Sequence, residues 1–139
     1  MIIDHIGIAT RSLEQAIPHW EQVFGYTQAT EIITNTRQQV NVVFLEKENS
    51  IPIKLIEPTT ESSPIYRFAS RGGGLHHLCF RCNDLTQEIN RLTGQGLRVL
   101  AAPQPGEAFE NEDIAFIFAN HGLNIELIAT DKRAGRLTP

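Results

Sequence analysis

The sequence predicts an α+β fold. Two tandem βαβββ modules join their strands into one curved mixed sheet, a bowl around a ligand site. Three observations predict it. The first is an internal repeat at a displacement of 72 residues. Asp4-His5-Ile6-Gly7-Ile8 falls on His76-His77-Leu78-Cys79-Phe80, and Leu13-Glu14-Gln15-Ala16-Ile17 falls on Leu85-Thr86-Gln87-Glu88-Ile89. At the other end of each half, Ile53-Lys54-Leu55-Ile56 falls on Ile125-Glu126-Leu127-Ile128. The second is that each half opens with an apolar strand-like run followed by a helix-start signal. The third is size: 139 residues, 41% hydrophobic and 20% charged, suit one packed core rather than a disordered chain. Residues 1–139 therefore form a single domain of two repeated modules, about 1–60 and 73–130, joined by a linker helix.

The elements follow in order. Residues 3–9 make the first strand. Ser12-Leu13-Glu14-Gln15 is a capping box, so a helix starts after Ser12 and runs to about Phe24, where Gly25 stops it. Pro18 lies inside that helix and removes one of its hydrogen bonds. Strands are expected at 28–34, 39–46 and 51–57, with Pro58 closing the half. Ser62-Ser63-Pro64 opens the linker helix, which ends in Arg71-Gly72-Gly73-Gly74. The second half repeats the plan: a strand at 75–82, a helix from Asn83 or Asp84 to Gly94-Gln95-Gly96, then strands at 97–102, 113–119 and 123–130. Pro103 to Glu110 is the longest loop and a candidate ligand lid. From Thr130 a short polar C-terminal tail follows.

Composition excludes several functions. The net charge is −4 and no basic cluster exceeds Lys132-Arg133, which argues against nucleic acid. The longest apolar runs reach four to six residues, far short of the ~20 a membrane span needs. Met1-Ile2-Ile3-Asp4-His5 carries neither a basic segment nor a cleavage site, so no secretory signal is expected. Cys79 and Cys82 are three apart on a strand, so their sulfurs point to opposite faces and should not meet. A reduced, cytoplasmic protein fits.

The period of two places four residues together. On the first strand, Ile6 and Ile8 share the core face, and His5, Gly7 and Ala9 share the other, where small neighbours leave room above the sheet. On the matching strand, His77 lies with Cys79 and Arg81, opposite Leu78 and Phe80. Glu126, flanked by Ile125 and Leu127, is the repeat partner of Lys54, flanked by Ile53 and Leu55. His5, Lys54, His77 and Glu126 should face one concavity. Two imidazoles and a carboxylate suit a divalent ion such as iron, nickel, cobalt or zinc. Singly, each residue is more commonly a hydrogen-bonded core histidine or the solvent face of a strand; the shared register makes the set specific.

Other residues weigh less. His76 should point into the core side of its strand. His19 should be exposed on the helix, and His121 belongs to the Asn120-His121-Gly122 turn. Trp20 and Phe24, four apart, read as helix core contacts. Arg81 shares the His77 face and could meet an anionic ligand. Gly72 to Gly74, without a helix behind it, is a weak phosphate loop.

At these residues the sequence resembles the vicinal-oxygen-chelate superfamily of glyoxalases, epimerases, extradiol dioxygenases and bleomycin-resistance proteins. The resemblance spans residues 2 to about 129. Among its branches it is most similar to the methylmalonyl-CoA epimerases. The carriers are Asp4-His5-Ile6-Gly7-Ile8-Ala9, Lys54-Leu55-Ile56-Glu57-Pro58, Ser63-Pro64-Ile65, Arg71 to Phe80, and Gly122-Leu123-Asn124-Ile125-Glu126-Leu127.

The resemblance implies metal ligands at His5, His77 and Glu126, with cobalt, nickel, zinc, manganese or iron as the ion. It also implies a homodimer and a small-molecule substrate, an acyl-CoA or another carbonyl compound. Its fourth ligand position is Lys54, and a protonated lysine has no lone pair to give. Three outcomes stay open: a three-ligand metal site with Lys54 holding substrate, a metal-free site in which Lys54 pairs with Glu126, or Lys54 turned to solvent. The implied chemistry is proton abstraction beside a carbonyl or thioester, with Glu126 as base and Lys54 as a further catalytic group. Lys54, Arg81 and Cys79 are the candidate substrate contacts. The second carboxylate base expected in the first half is absent from Gln38 to Phe44. A metal-free binding protein of the same fold is the alternative, and an iron-dependent dioxygenase is a third.

Overall fold

The computed structural model describes residues 1–138. Its elements are β1 (Ile2–Ala9), α1 (Leu13–Phe24), β2 (Thr27–Gln28), β3 (Ile33–Asn35), β4 (Val40–Glu46), β5 (Ile53–Pro58), α2 (Tyr66–Ser70), β6 (Gly74–Arg81), α3 (Leu85–Gly94), β7 (Arg98–Gly106), β8 (Glu112–Ala119) and β9 (Leu123–Ile128). One open curved sheet runs β2-β4-β5-β1-β6-β9-β8-β7, with β3 also paired to β4. The order mirrors itself about an antiparallel β1–β6 seam. On either side of that seam, β1 lies parallel to β5 and β6 parallel to β9. The 72-residue repeat is thus expressed as strand order.

Helix signals act locally as chemistry requires. The Ser12 side chain accepts from the backbone N–H of Gln15, and Gly25 closes α1 at φ 75°, the left-handed region. Asp84 caps α3 in the same way, accepting from Gln87 N–H. The helix α1 runs on through Pro18. Its Leu13 and Ile17 pack on Val43, Leu45, Ile53 and Leu55, with Ile6, Ile8 and Trp20 at the margin. In the second half, Leu85, Ile89 and Leu92 of α3 pack on Ala115, Ile117, Ile125 and Leu127, beside Leu78 and Phe80. The fully buried aliphatic side chains among these, such as Leu13, Leu45, Leu55, Ile117 and Leu127, are each worth about 1.5–3 kcal/mol, while those of α3 are only partly covered. Both helices cover one face of the sheet. The other face carries Val40, Val42, Phe44, Ile56, Cys79, Phe109, Ile114 and Ile128, and it holds the site.

Several expectations change. The strand expected at 28–34 is broken into β2 and β3. Between them Leu137 N–H donates to Ala29 O and Glu31 N–H to Gly135 O, while Phe44 N–H is met by the Thr30 hydroxyl instead of a strand carbonyl. The C-terminal tail is a strap, with Ala134 N–H donating to Ala108 O at 2.9 Å and Arg136 bridging to Glu46 at 3.2 Å. Pro103 to Gly106 is no lid; it extends β7, with Gln104 to Gly106 pairing with Ile114 to Glu112 beyond an irregularity after Ala101. As β7 is the sheet edge, a missing proline N–H breaks no ladder there. Phe109, also assigned to the loop, is fully buried. Phe24 contacts Trp20 at 4.9 Å between ring centroids but stays 46% exposed.

Candidate active site

Two bulges in the β1–β6 seam build the site. Ile3 faces Phe80 and His5 faces Cys79, which leaves Asp4 as an extra residue. Gly7 faces His77 and Ile8 faces Leu75, which leaves His76 as another. A bulge breaks strict alternation and re-aims side chains. His76 therefore joins the site side rather than the core side expected for it, lining the same cavity as His77. Gly7 is required here: a Cβ on it would lie 2.1 Å from the His77 ring. The small residue opposite the histidine is what admits the imidazole.

The four residues singled out by the repeat meet. Glu126 is fully buried at the centre. Its Oε1 lies 2.9 Å from His5 Nε2 and 3.2 Å from His77 Nε2. The Lys54 ammonium lies 3.3 Å from Oε2 and 3.5 Å from Oε1. Lys54 is 2% exposed, so it does not turn to solvent. Behind the site, His5 Nδ1 lies 2.7 Å from Asp4 Oδ2, which also accepts from Arg133 at 2.5 Å. His77 Nδ1 lies 2.7 Å from His76 Nδ1, so one ring donates to the other. Arg133 stacks over Phe44, 4.2 Å from its centroid.

Charge states follow from these contacts. Burial pushes the Glu126 carboxyl up, but the Lys54 ammonium with His5 and His77 outweighs it and holds the group well below the usual range. Burial also opposes ionisation of Asp4; the hydrogen bond from His5 and the charge of Arg133 win, so it too stays an anion. Burial takes His77 down to about 4 against the pull of Glu126, so its ring is neutral at pH 7. Burial and then the Lys54 charge lower His76. Cys79, raised well above its ordinary value by burial and Glu126, stays a thiol.

The metal-ligand set can be tested on this geometry. Two ligands on adjacent corners of an octahedron with bonds of about 2.1 Å lie about 3 Å apart. The two separations between a histidine nitrogen and Glu126 Oε1 meet that spacing, the three ligand atoms lie within 4.8 Å of one another, and among the described residues His77 Nε2 is buried without a well-aligned hydrogen bond. Lys54 does not suit the set. Its Nζ lies 3.3 Å from Glu126 Oε2, and a protonated amine offers donors and no lone pair. A divalent ion there would stand beside a cation competing for one carboxylate. The four-ligand set implied by the resemblance therefore does not fit this chain.

Above the site opens a cavity of about 310 Å³. Lys54, His76, His77, Gln38 and Asn124 are its polar lining, and Val40, Ile56, Ile65, Leu100 and Phe116 its apolar walls. Arg81 stands apart: its Nε lies 3.7 Å from Asp4 Oδ1, and it lines a separate surface groove with Asp84 and Arg91. Cys79 is buried beneath the site, not on the cavity wall. His121 sits in a left-handed turn at φ 67° between β8 and β9. Asp4, Arg133, Phe44 and Phe109 were not singled out in the sequence. A signal did exist for one of them, because the repeat places Asp4 on His76.

Residues 4–116 match the Glyoxalase/Bleomycin resistance protein/Dioxygenase superfamily. The chain belongs to that superfamily. Within the glyoxalase superfamily, it is 35% identical over 128 residues to an uncharacterized protein of Bacillus subtilis (strain 168), YqjC, covering 90% of this chain and 89% of that one. It is 27% identical over 129 residues to the mitochondrial methylmalonyl-CoA epimerase of Dictyostelium discoideum, covering 90% and 76%. The crystal structure of methylmalonyl-CoA epimerase from Mycobacterium tuberculosis superposes with a TM-score of 0.81 at 32% identity, covering 91% of this chain and 86% of that one. A Streptomyces coelicolor methylmalonyl-CoA epimerase variant, in complex with 2-nitronate-propionyl-CoA, does so at 0.81 and 28%, covering 93% and 96%. The fold is that of these epimerases. No helix among the described residues is long and apolar enough to cross a membrane.

Proposed function

We propose that the chain abstracts a proton next to the carbonyl of a small acyl compound, most like methylmalonyl-CoA epimerase acting on a thioester. The observation that carries this reading is the Glu126 carboxylate, fully buried and held as an anion against Lys54 and His77, the two site residues that line the cavity. Glu126 takes the proton from carbon. The C–H electron pair moves onto the carbonyl oxygen, and the Lys54 ammonium donates to the oxyanion so formed. The proton then returns to carbon from Glu126. His5 and His77 hold the carboxylate, and the apolar walls exclude water and receive the acyl chain.

Gln38 lines the cavity, and among the described residues no carboxylate does, so no second base for inversion stands on its wall. That observation favours a second reading, a non-catalytic small-molecule-binding protein of the same fold. The test is deuterium exchange at the α-carbon of methylmalonyl-CoA and propionyl-CoA in heavy water. Exchange that falls at least about a hundredfold in Glu126→Gln supports the enzyme. Saturable binding of either thioester without exchange supports the binding protein.

A further inference from the structure

We infer that the Lys54 ammonium is the permanent cation of this site, standing in place of the divalent ion, so that the chain works metal-free. The inference deepens the proposed function, for it names the group that meets the oxyanion. Four observations carry it. The ammonium contacts both oxygens of Glu126 at 3.3 and 3.5 Å, so this fully buried carboxylate already has its counter-charge. The same ammonium lies 5.1 Å from the Phe109 ring centroid and 5.9 Å from that of Phe44, faces that favour a monovalent cation. Its stem is buried, so Nζ is fixed rather than free to withdraw. Lys54 also reaches the cavity wall beside His77, so its ammonium is presented to whatever enters.

The site is therefore balanced as it stands. A divalent ion among His5, His77 and Glu126 would place two positive centres on one carboxylate. An anionic oxygen entering the cavity meets the ammonium directly, and no ion has to be loaded first. A neutral amide or a carboxylate at position 54 would reverse this, adding a lone-pair donor at the fourth ligand position and removing the competing charge.

The experiment is a titration of the metal-stripped full chain with Co2+, Ni2+ and Zn2+ and no substrate present, read by Co2+ absorption and by melting temperature. The wild type should show neither a cobalt band nor a shift. Lys54→Gln and Lys54→Glu, checked for folding by near-ultraviolet circular dichroism, should each gain binding of at least about a hundredfold. Adding His77→Ala should abolish the gain. One cobalt bound per wild-type chain and lost in His77→Ala overturns the inference, as do folded position-54 variants that stay blind to metal. If neither variant folds, the wild-type titration decides alone. Because no thioester is used, absence of proton exchange sinks the proposed activity without touching this result.

Discussion

Asp4 and His76 are each the extra residue of a bulge in the β1–β6 seam, and each lies 2.7 Å from Nδ1 of the histidine that follows it. The two halves thus orient their site histidines by the same backbone device but with different chemistry. His5 is held by a carboxylate and His77 by a second imidazole. A partner on the far ring nitrogen fixes which nitrogen faces the site. The Asp4 side needs a counter-charge, and the chain draws it from Arg133 in the C-terminal strap.

Arg133→Met should destabilise the fold by about 3–5 kcal/mol, because it leaves Asp4 as a buried anion with its main counter-charge gone. Asp4 is 9% exposed, and the Arg133 side chain 7%. Urea unfolding measures it. A loss under about 1 kcal/mol would mean that Arg81, 3.7 Å from the other Asp4 oxygen, suffices.

Acidification should cost stability through His77. Its folded value of about 4 lies below the ordinary 6.5, so the unfolded chain binds the extra proton first. Its contribution is complete above pH 6.5 and is lost as pH falls towards 4, roughly 3 kcal/mol in all. Glu126 and Asp4, both held below their ordinary values, add to the loss only beneath about pH 4.5 and 3.8. Unfolding free energies from pH 7 to 4 should slope accordingly, and His77→Gln should flatten the upper part.

Gly7→Ala should destabilise by about 1–3 kcal/mol and displace the His77 ring, given a Cβ placed 2.1 Å from it. Gly94→Ala, with nothing within 4 Å of its added carbon, is the control and should gain about 0.4–1 kcal/mol. Similar melting temperatures for the two would contradict the packing described.

Lys54→Met should cost about 3–5 kcal/mol at pH 7, since a fully buried carboxylate loses its ammonium. The deficit should shrink in acid, where Glu126 of the variant can take up a proton. A deficit constant from pH 7 to 4 would place it in packing rather than charge.

Much of this was legible in the sequence, and the rest has a physical reason for being hidden. A repeat plus a period of two locates His5, Lys54, His77 and Glu126, because local alternation decides which face each occupies. Alternation fails at Asp4 and His76, where the register between two distant strands inserts an extra residue. Pro103 and Pro105 read as a loop because a proline interrupts most strands, and only pairing at the sheet edge tolerates them. Arg133 gave no signal at all. Its role depends on the strap returning to β2 and β3, a contact between the two ends of the chain.

The antiparallel seam also divides the charge. The first module brings His5 and the Lys54 cation; the second brings His77 and the Glu126 anion. Asp4 and Arg133 cross the same division in the opposite sense, so cut apart at Gly72 each fragment would lose the partners of two buried ions, and each would bare the edge of β1 or β6. Two copies of one fragment would set like charges against each other. The fragments should therefore reassemble as a heterodimer, with the two crossed ion pairs as the mark that tells partner from self.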